Sequence, residues 1–416
     1  MTPDHCAVLI VGAGPAGLAA ALELKRLGVT DVRVVEREEE AGGIPRICHH
    51  TGFGMRDLRR LYTGPAYARH YVRRAEMAGI EIHTSTAVTG WAGPTTLTLT
   101  SPRGVNQIQA QAILLATGCR ERPRSARLIP GSRPQGIFTT GPLQRFVYQY
   151  GQRVGRRAVV VGAELVSLSA LLTLAHARIP VAAMVTEFPH HQIYFPYLPV
   201  KWWLADLMLR VPLITRAQVS RIIGRQRVEA VEISHLDSGQ TEAIACDTVV
   251  FTGDWIPEHE LARLGNIVID PATRGPRVDT CLRTSVRGVF AAGNLLRGAE
   301  TADSAALEGR YAARCIRSFL EQGTWPDHVL PLQVEAPIAW ISPNAVVVSE
   351  DRLGLGGFVF RVSEFCQGAK VRVYQGDRVM HTQMFRRLLP NRSAHLGDDW
   401  LAAVRPDGEA LRVTLG

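Results

Sequence analysis

The sequence has no long hydrophobic run, no closely spaced cysteine pair and almost no lysine. No stretch of 18 apolar residues occurs, so no transmembrane helix is expected. The seven cysteines are scattered without a C-x-x-C spacing, which argues against a zinc site, an iron–sulfur cluster or another metal site. An odd number of scattered cysteines is typical of reduced thiols, and the chain enters a strand without a signal segment. A cytoplasmic location is therefore predicted.

The positive charge comes almost entirely from arginine. Only three of the 47 basic residues are lysines (Lys25, Lys201 and Lys370), and 38 acidic residues leave a net charge of +9. No arginine cluster is interleaved with aromatics as in a known nucleic-acid module, so nucleic-acid binding is not expected. The excess of arginine over lysine is attributed to codon composition. Attraction to acidic partners or anionic lipid surfaces is the looser implication. A length of 416 residues with 46% hydrophobic content allows two or three soluble domains.

An intact dinucleotide fingerprint lies near the N-terminus. The apolar strand 8–11 runs directly into G-x-G-x-x-G, whose glycines are Gly12, Gly14 and Gly17. The first glycine permits a tight turn, the second lets the backbone approach a pyrophosphate, and the third lets helix and strand pack. A helix predicted from about residue 15 to 27 would present its N-terminus to the phosphates.

The following strand supplies the other half of this fingerprint. Strand 31–35 ends at Glu36, about 20 residues beyond the glycines, where a carboxylate hydrogen-bonds a ribose 2′-OH. An acid at this place disfavours a 2′-phosphate. The segment therefore predicts a dinucleotide site for FAD or NAD rather than NADP.

A second fingerprint is degenerate. Strand 157–161 leads into Gly162, but Glu164 stands where the second glycine belongs and Ser167 where the third belongs. Two like charges about 4 Å apart repel by roughly 4 kcal/mol at an effective dielectric of about 20. NAD(P) binding here is therefore not expected, although Glu187 after the next strand has the position of a ribose ligand. Simple drift of the fold and an adenine nucleotide held as a structural ligand remain alternatives.

Three later features favour FAD at the first site. Gly42-Gly43 follows Glu36 closely, the apolar strand 112–118 ends in Ala-Thr-Gly, and the strand 289–294 ends in Gly293-Asn294. In this order they resemble the marks of the glutathione reductase/thioredoxin reductase superfamily over roughly residues 5–320, with Asn294 in place of the usual aspartate. The resemblance implies FAD contacts from the following residues: Gly12, Gly14, Pro15, Ala16, Gly17, Glu36, Arg37, Gly43, Ile44, Val88, Ala116, Thr117, Gly118, Gly293, Asn294, Thr301 and Ala302.

The same pattern predicts the domain organisation. We expect an α/β protein with two interleaved Rossmann-like domains and a small C-terminal β-rich domain. Residues 1–141 and 245–325 form the predicted FAD domain, 142–244 the second Rossmann-like domain, and 326–416 the β-rich domain. No catalytic constellation is recognisable in the β-rich domain, which is interpreted as a subunit-association module.

A narrower resemblance depends on several further segments. The chain looks like the FAD-containing subunit of heteromeric dye-linked dehydrogenases, which include opine oxidases, proline and hydroxyproline dehydrogenases and hydrogen cyanide synthase. The segments that carry this resemblance are 42–46, 51–54, 62–69, 291–294, 300–303 and 307–310. In those complexes a separate flavoprotein subunit oxidises an amino or hydroxy acid, and the subunit resembling this chain accepts the electrons. Members often carry a C-terminal [2Fe–2S] segment. Only Cys366 follows residue 320 here, so such a centre would have to lie on another, small iron–sulfur subunit.

The candidates for chemistry are few, and no catalytic residue is assigned. Cys48-His49-His50 follows the Gly-Gly loop, but Phe53 stands where disulfide reductases place a second cysteine, so there is no dithiol relay. The segment either packs near the flavin or shapes its edge. In this superfamily the helix predicted at about 303–320 directs its N-terminus at the flavin pyrimidine, with Thr301 or Asp303 as its N-cap.

The segment 188–213 is the most aromatic part of the chain. It is interpreted as a core-filling lid or as a docking surface for a partner subunit, with a membrane-surface role as a third alternative. Three hypotheses follow for the whole chain. It is an electron-transfer FAD subunit of a dehydrogenase complex, a free-standing FAD oxidoreductase with its own substrate, or a non-catalytic FAD-binding scaffold.

Overall fold

The computed structural model describes residues 3–195, 197–348 and 354–416. The chain forms two compact units. The first contains the residues up to Arg46, Thr51–Arg120 and Ile256–Gly416, and the second contains Ile47–His50 and Glu121–Trp255. The predicted α/β fold, with two interleaved Rossmann-like domains and a β-rich C-terminal region, is confirmed.

Among the described residues, α-helices connect the parallel strands and cover their faces. They are α1 (Pro15–Arg26), α2 (Gly64–Met77), α3 (Thr140–Gln144), α4 (Leu165–His176), α5 (Leu198–Lys201), α6 (Glu260–Leu264) and α7 (Ala302–Gln322). Segments Arg145–Gln149 and Trp202–Met208 are wound as π-helix. None of the described helices combines the length and apolar character needed to cross a bilayer.

The first unit is built on a mixed sheet. The strands up to residue 121 are β1 (Asp4–Val11), β2 (Val32–Val35), β3 (Thr51–Phe53), β4 (Tyr62–Thr63), β5 (Glu81–His83), β6 (Ala87–Gly93), β7 (Thr96–Ser101), β8 (Gly104–Leu115) and β9 (Cys119–Glu121). The sheet has the order β5-β2-β1-β8-β7-β6, and the later strand β19 (Val289–Ala291) pairs with β8. Strand β8 is parallel to β1 and β19 but antiparallel to β7. The carboxyl ends of β1, β2, β8 and β19 therefore meet at one edge, where such folds bind nucleotides.

The second unit contains a smaller parallel sheet. Its strands are β10 (Ile137–Thr139), β11 (Ala158–Val161), β12 (Val181–Val185), β13 (Leu213–Ile214), β14 (Ala217–Ile223), β15 (Ala230–His235), β16 (Thr241–Ala245), β17 (Thr248–Phe251) and, at its end, β18 (Trp255–Pro257). The parallel sheet has the order β10-β17-β11-β12-β13, and β14-β15-β16 form an antiparallel sheet. The unit is wider than the expected 142–244 because β10 already pairs with β17.

The C-terminal region folds as two small sheets around its own core. Its strands are β20 (Leu330–Val334), β21 (Ile338–Ser342), β22 (Ala345–Val346), β23 (Phe358–Val362), β24 (Cys366–Gln375), β25 (Arg378–Leu388), β26 (Ala394–Leu396) and β27 (Leu411–Leu415). Phe358, Phe360 and Trp400 are buried in that core. A turn at Gly376 and Asp377 joins β24 to β25. Strand β25 was not expected because polar and apolar residues do not alternate along it cleanly.

Candidate functional site

The turn between β1 and α1 requires glycine at two of its three fingerprint positions for packing. Gly12 has a φ of +106°, and a Cβ there would lie 2.5 Å from the Ala116 carbonyl oxygen. A Cβ on Gly17 would lie 1.9 Å from the Gly12 carbonyl oxygen. These contacts hold the first turn of α1 directly against β1 and the end of β8.

Gly14 is different, because no protein atom requires it to be glycine. A Cβ there would meet nothing within 4 Å. Gly14 is the N-cap residue of α1, and no side chain among the described residues caps this helix. Open space above a glycine and uncapped helical N–H groups fit the pyrophosphate of a dinucleotide. The second loop closes on the same place, since a Cβ on Gly43 would lie 2.9 Å from the Gly14 Cα.

Glu36 is held at the end of β2 by two backbone groups. Its Oε2 accepts a hydrogen bond from the Ala13 N–H at 2.9 Å, and its Oε1 accepts one from the Glu38 N–H at 3.0 Å. The Glu36 carbonyl accepts the Thr86 N–H at 2.9 Å, which brings β6 with Val88 to this edge. The carboxylate therefore lies beside the glycine turn, as expected of a ribose ligand. The neighbouring side chains Arg37 and Ile44 are largely exposed.

The Ala-Thr-Gly segment after β8 closes the same edge. The Ala116 N–H donates to the Val11 carbonyl at 2.8 Å. The Thr117 hydroxyl donates to the Glu258 carbonyl at 2.9 Å, and the Gly118 carbonyl accepts the Glu258 N–H at 2.9 Å. The Thr117 hydroxyl and the Gly118 carbonyl thus hold the backbone at Glu258, directly after β18.

Helix α7 packs so closely on α1 that glycine is needed at the contact. A Cβ on Gly309 would lie 2.1 Å from the Ala16 carbonyl oxygen, and one on Gly293 would lie 2.8 Å from the Ala16 Cβ. Thr301 is the N-cap residue of α7 and accepts the Ser304 N–H at 3.3 Å. The structure thus brings Gly293, Thr301 and Ala302 into the unit that carries the β1–α1 turn. Whether these residues contact FAD remains a prediction.

A buried ionic network behind this edge was not anticipated from the sequence. The Asn294 side-chain oxygen accepts the Glu300 N–H at 3.1 Å, and Glu300 pairs with Arg361 of β23 at 2.7 Å. Burial alone would raise the pKa of Glu300, but Arg361 and Arg297 outweigh it and hold that pKa below its ordinary value. Arg297 also pairs with Glu308 of α7 at 2.8 Å. The C-terminal region is therefore attached by charge to the segment that starts α7.

The loop between β3 and β4 is fixed to the first turn of α7. The Asp303 carboxylate accepts the N–H groups of Gly54 at 3.1 Å, Arg56 at 2.7 Å and Asp57 at 3.3 Å. The Asp57 carboxylate in turn accepts the hydroxyls of Tyr67 at 2.8 Å and Tyr71 at 2.6 Å. Asp303 is thus an anchor for this loop, whereas the N-cap role falls to Thr301.

In the second unit, Glu164 occupies the helix terminus that corresponds to Gly14. Glu164 is the N-cap residue of α4, and its carboxylate accepts the Val166 N–H. The Ser167 hydroxyl lies 3.2 Å from Glu164 Oε1 and 2.7 Å from the Thr252 hydroxyl, and it also accepts the Glu164 N–H. Burial raises the pKa of Glu164 in spite of these hydrogen bonds. The protein's own carboxyl group therefore fills an anion site that an open fingerprint would leave to a phosphate.

Cys48 and His49 belong to the second unit. The Cys48 thiol lies 3.5 Å from the Gln144 side-chain oxygen, and the His49 ring stacks on Tyr148 with centroids 4.1 Å apart. Burial raises the pKa of Cys48 to about 12, with a further contribution from Glu121. A thiol with that pKa is a poor nucleophile at neutral pH.

The aromatic segment 188–213 is only partly a lid. Leu204 and Ala205 are buried against the second unit's core, while Phe195, Trp202 and Trp203 are 74%, 61% and 52% exposed. The sequence predicted a special role for this segment but could not decide which residues point outward.

The fold has the two-Rossmann architecture of the thioredoxin reductases. Residues 6–309 match the model of the pyridine nucleotide-disulphide oxidoreductase family, and the chain belongs to this family. Thioredoxin reductase of T. acidophilum has the same fold at a TM-score of 0.61 and 22% identity, covering 76% of this chain and 98% of that one.

Two curated relatives are components of larger oxidases. The alpha chain of the sarcosine oxidase of Rhizobium meliloti (strain 1021) is 26% identical over 82% of this chain and 33% of its own length. The opine oxidase of Agrobacterium tumefaciens (strain Ach5) has a subunit that is 27% identical over 74% of this chain and 65% of its own length. The chain thus matches about a third of the first relative and just under two thirds of the second.

Proposed function

We propose that this chain is an FAD-dependent electron-transfer subunit of a heteromeric dehydrogenase or oxidase. In this proposal a partner flavoprotein oxidises an amino acid, amine or hydroxy acid and passes the electrons to this chain. The observation that carries the proposal is the contrast between the two fingerprint sites. One has open space and a free helix terminus, and the other is filled by the protein's own glutamate.

The first site would hold FAD through the groups already described. Gly14 and the N-terminus of α1 would receive the pyrophosphate, and Glu36 would receive the ribose. Thr301 and Ala302, at the start of α7, would place the positive end of the helix dipole near the flavin. Bound FAD supplies a carrier that accepts electrons in pairs and releases them singly or in pairs. The described residues would bind and orient it, and no acid–base group is recognised among them.

The second site argues against NAD(P)H as the electron source. The Glu164 side chain uses the Val166 N–H and occupies the space at the start of α4. A nucleotide would have to displace this buried carboxyl group and break its hydrogen bonds to Ser167. Ionised or neutral, Glu164 therefore opposes a pyrophosphate, and an adenine nucleotide bound as a structural ligand is disfavoured for the same reason.

The lack of a dithiol at Cys48 and of an open nucleotide site leaves an external donor as the source of electrons. The relatives named as oxidase subunits support a partner chain of this kind. We infer that the partner is a second flavoprotein, accompanied where needed by a small iron–sulfur subunit. The exposed side chains Phe195, Trp202 and Trp203 and the C-terminal region offer surface for the assembly.

The test is purification of the chain alone and with the proteins that accompany it in its natural host. The isolated chain should bind one FAD and should not be bleached by micromolar NADH under nitrogen in a stopped-flow mixer. With its partner, identified by mass, the flavin should be reduced by the partner's substrate. Rapid bleaching by NADH, or amino-acid-dependent dye reduction by the single chain, would favour the free-standing oxidoreductase. A flavin that no partner substrate reduces would favour the scaffold.

A further inference from the structure

A dense group of arginines lies on the surface of the first unit. Six arginines between residues 56 and 74 are exposed, on the loop from β3 to β4 and on α2. This surface is called the arginine patch, and its members are Arg56, Arg59, Arg60, Arg69, Arg73 and Arg74. Lysine is almost absent from the chain, so positive charge is displayed mainly where arginines gather.

Among the described residues, no carboxylate pairs with the exposed arginines of the arginine patch. Asp57 is the only acidic residue within the same stretch, and its carboxylate is buried beneath Tyr67 and Tyr71. Arg56 donates to the Ser304 hydroxyl at 3.1 Å. Within the part of the chain that the structure describes, none of the other five arginines pairs with a carboxylate. Glu76, exposed on α2 three residues after Arg73, pairs with no arginine among the described residues.

The loop and the helix contribute to one surface rather than two. His70 of α2 lies between them, and its pKa is lowered by burial and then by the positive charges of Arg74 and Arg60. Arg60 belongs to the loop and Arg74 to the helix, and the two segments are in contact: the Tyr62 ring lies 5.5 Å from the His70 ring, and the Tyr71 hydroxyl of α2 donates to Asp57 of the loop. Arg69 and Arg73 are four residues apart in α2 and project from the same side of the helix.

The arginine patch begins beside the residues expected to contact the flavin. The Arg56 N–H donates to Asp303 at 2.7 Å, and Asp303 directly follows Ala302. The Tyr67 hydroxyl lies 3.4 Å from the Ala302 carbonyl oxygen. A macromolecule on this surface would therefore sit next to the start of α7.

We propose that the arginine patch is the docking surface for the acidic face of a protein partner in the electron-transfer assembly. This docking proposal rests on the proposed function, because the location of the arginine patch beside Ala302 matters only if the flavin is held there. Exposed Met55 and Leu61 lie among the arginines, at 49% and 62% exposure, and methionine with arginine is typical of protein interfaces. A single-stranded nucleic acid would call for exposed aromatic rings, whereas Tyr67 and Tyr71 are buried.

The first test measures binding to a plant-type [2Fe–2S] ferredoxin, a small acidic electron carrier used as a probe. Titration calorimetry at about 20 mM and about 200 mM salt should show affinity that falls steeply with salt, since the Debye length shrinks to below about 10 Å. The variant R60E/R73E/R74E should bind roughly 100-fold more weakly at low salt. The matched control R103E/R133E/R225E reverses three exposed arginines elsewhere and should bind within about threefold of the wild type.

Folding of the triple variant is checked through His70. Reversing Arg60 and Arg74 should raise the pKa of His70, measured by its imidazole NMR signals, while the circular dichroism spectrum stays unchanged. The milder variant R60Q/R73Q/R74Q should lose part of the affinity and serves if the reversed variant does not fold.

Equal binding by wild type and triple variant would overturn the docking proposal and leave the proposed function standing. Tighter binding of a single-stranded oligonucleotide or of anionic phosphatidylglycerol vesicles, abolished in the triple variant, would overturn it in favour of that occupant. Titration of the FAD-free chain separates the two proposals, because charge-dependent docking persists there even if FAD binding fails.

Discussion

Replacement of Glu164 by glutamine tests whether the buried N-cap of α4 is a neutral carboxyl group. Glutamine has the same shape and can still accept the Val166 N–H, but it carries no charge at any pH. Burial raises the pKa of Glu164 above its ordinary value of 4.5. The folded chain then binds this proton more tightly than the unfolded chain.

The sign of the pH dependence follows from that difference. The stability contributed by protonated Glu164 is full below the unfolded pKa and is lost as the pH rises toward the folded pKa. Each unit of pKa elevation corresponds to about 1.36 kcal/mol. A buried charge whose hydrogen bonds only partly replace water costs on the order of 1–3 kcal/mol. We therefore expect E164Q to match the wild type near pH 4.5 and to exceed it by about that amount near pH 8.

Amide hydrogen exchange of peptides covering α4, compared between wild type and E164Q at each pH, measures this difference locally. Glu187→Gln, an exposed glutamate of the same unit, is the matched control and should show no such divergence. Glu164→Ala should lose about 1 kcal/mol at low pH as well, because the cap itself is removed. Greater stability of the wild type than of E164Q at pH 8 would refute the reasoning and show that Glu164 caps the helix as an anion.

Three further outcomes are expected. Gly14→Glu should abolish the yellow flavin spectrum without lowering the melting temperature of the FAD-free chain, since a Cβ there meets nothing within 4 Å; retention of full FAD would show that the first site is misassigned. Gly309→Ala should destabilise the chain by about 1–3 kcal/mol in urea unfolding, because its Cβ would lie 2.1 Å from the Ala16 carbonyl oxygen; an unchanged midpoint would contradict the packing. Arg361→Gln should cost about 1–3 kcal/mol, because the mostly buried Glu300 loses its nearest cation and keeps only the Ser393 hydroxyl and the more distant charge of Arg297, and the double variant with Glu300→Gln should recover much of the loss; a silent single variant would contradict the pairing.

The nucleotide-binding edge could be predicted from the sequence because its determinants are local. Gly17 packs against the carbonyl of Gly12 five residues before it, and a fixed spacing to Glu36 follows from the β-α-β unit, although the contact that Gly12 makes with Ala116 is not local. The replacement of the second glycine by Glu164 could likewise be seen in the sequence. Its role as the N-cap of α4 could not, because that role depends on Ser167 and on Thr252, which is 85 residues away from Ser167.

The remaining parts depend on contacts between distant segments. The pair of Glu300 with Arg361 joins positions 61 apart, and the anchor from Asp303 to Gly54 joins positions 249 apart. Neither has a periodic or spacing signal in one sequence. The packing of Cys48 with Gln144 was hidden for the same reason. Strand β25 escaped prediction because its exposed, arginine-rich residues lack the alternation that marks a half-buried strand.

The closed second site has a genetic consequence. The codons for glutamate and glycine differ at a single base, and the Glu164 side chain is what fills the terminus of α4. Gly162, the strand before it and the helix after it are all retained. One point mutation would therefore remove the carboxyl group that fills this terminus, with Ser167 still standing at the third fingerprint position. Under the proposed function, the exclusion of pyridine nucleotides would then depend on Glu164 and Ser167 rather than on loss of the domain.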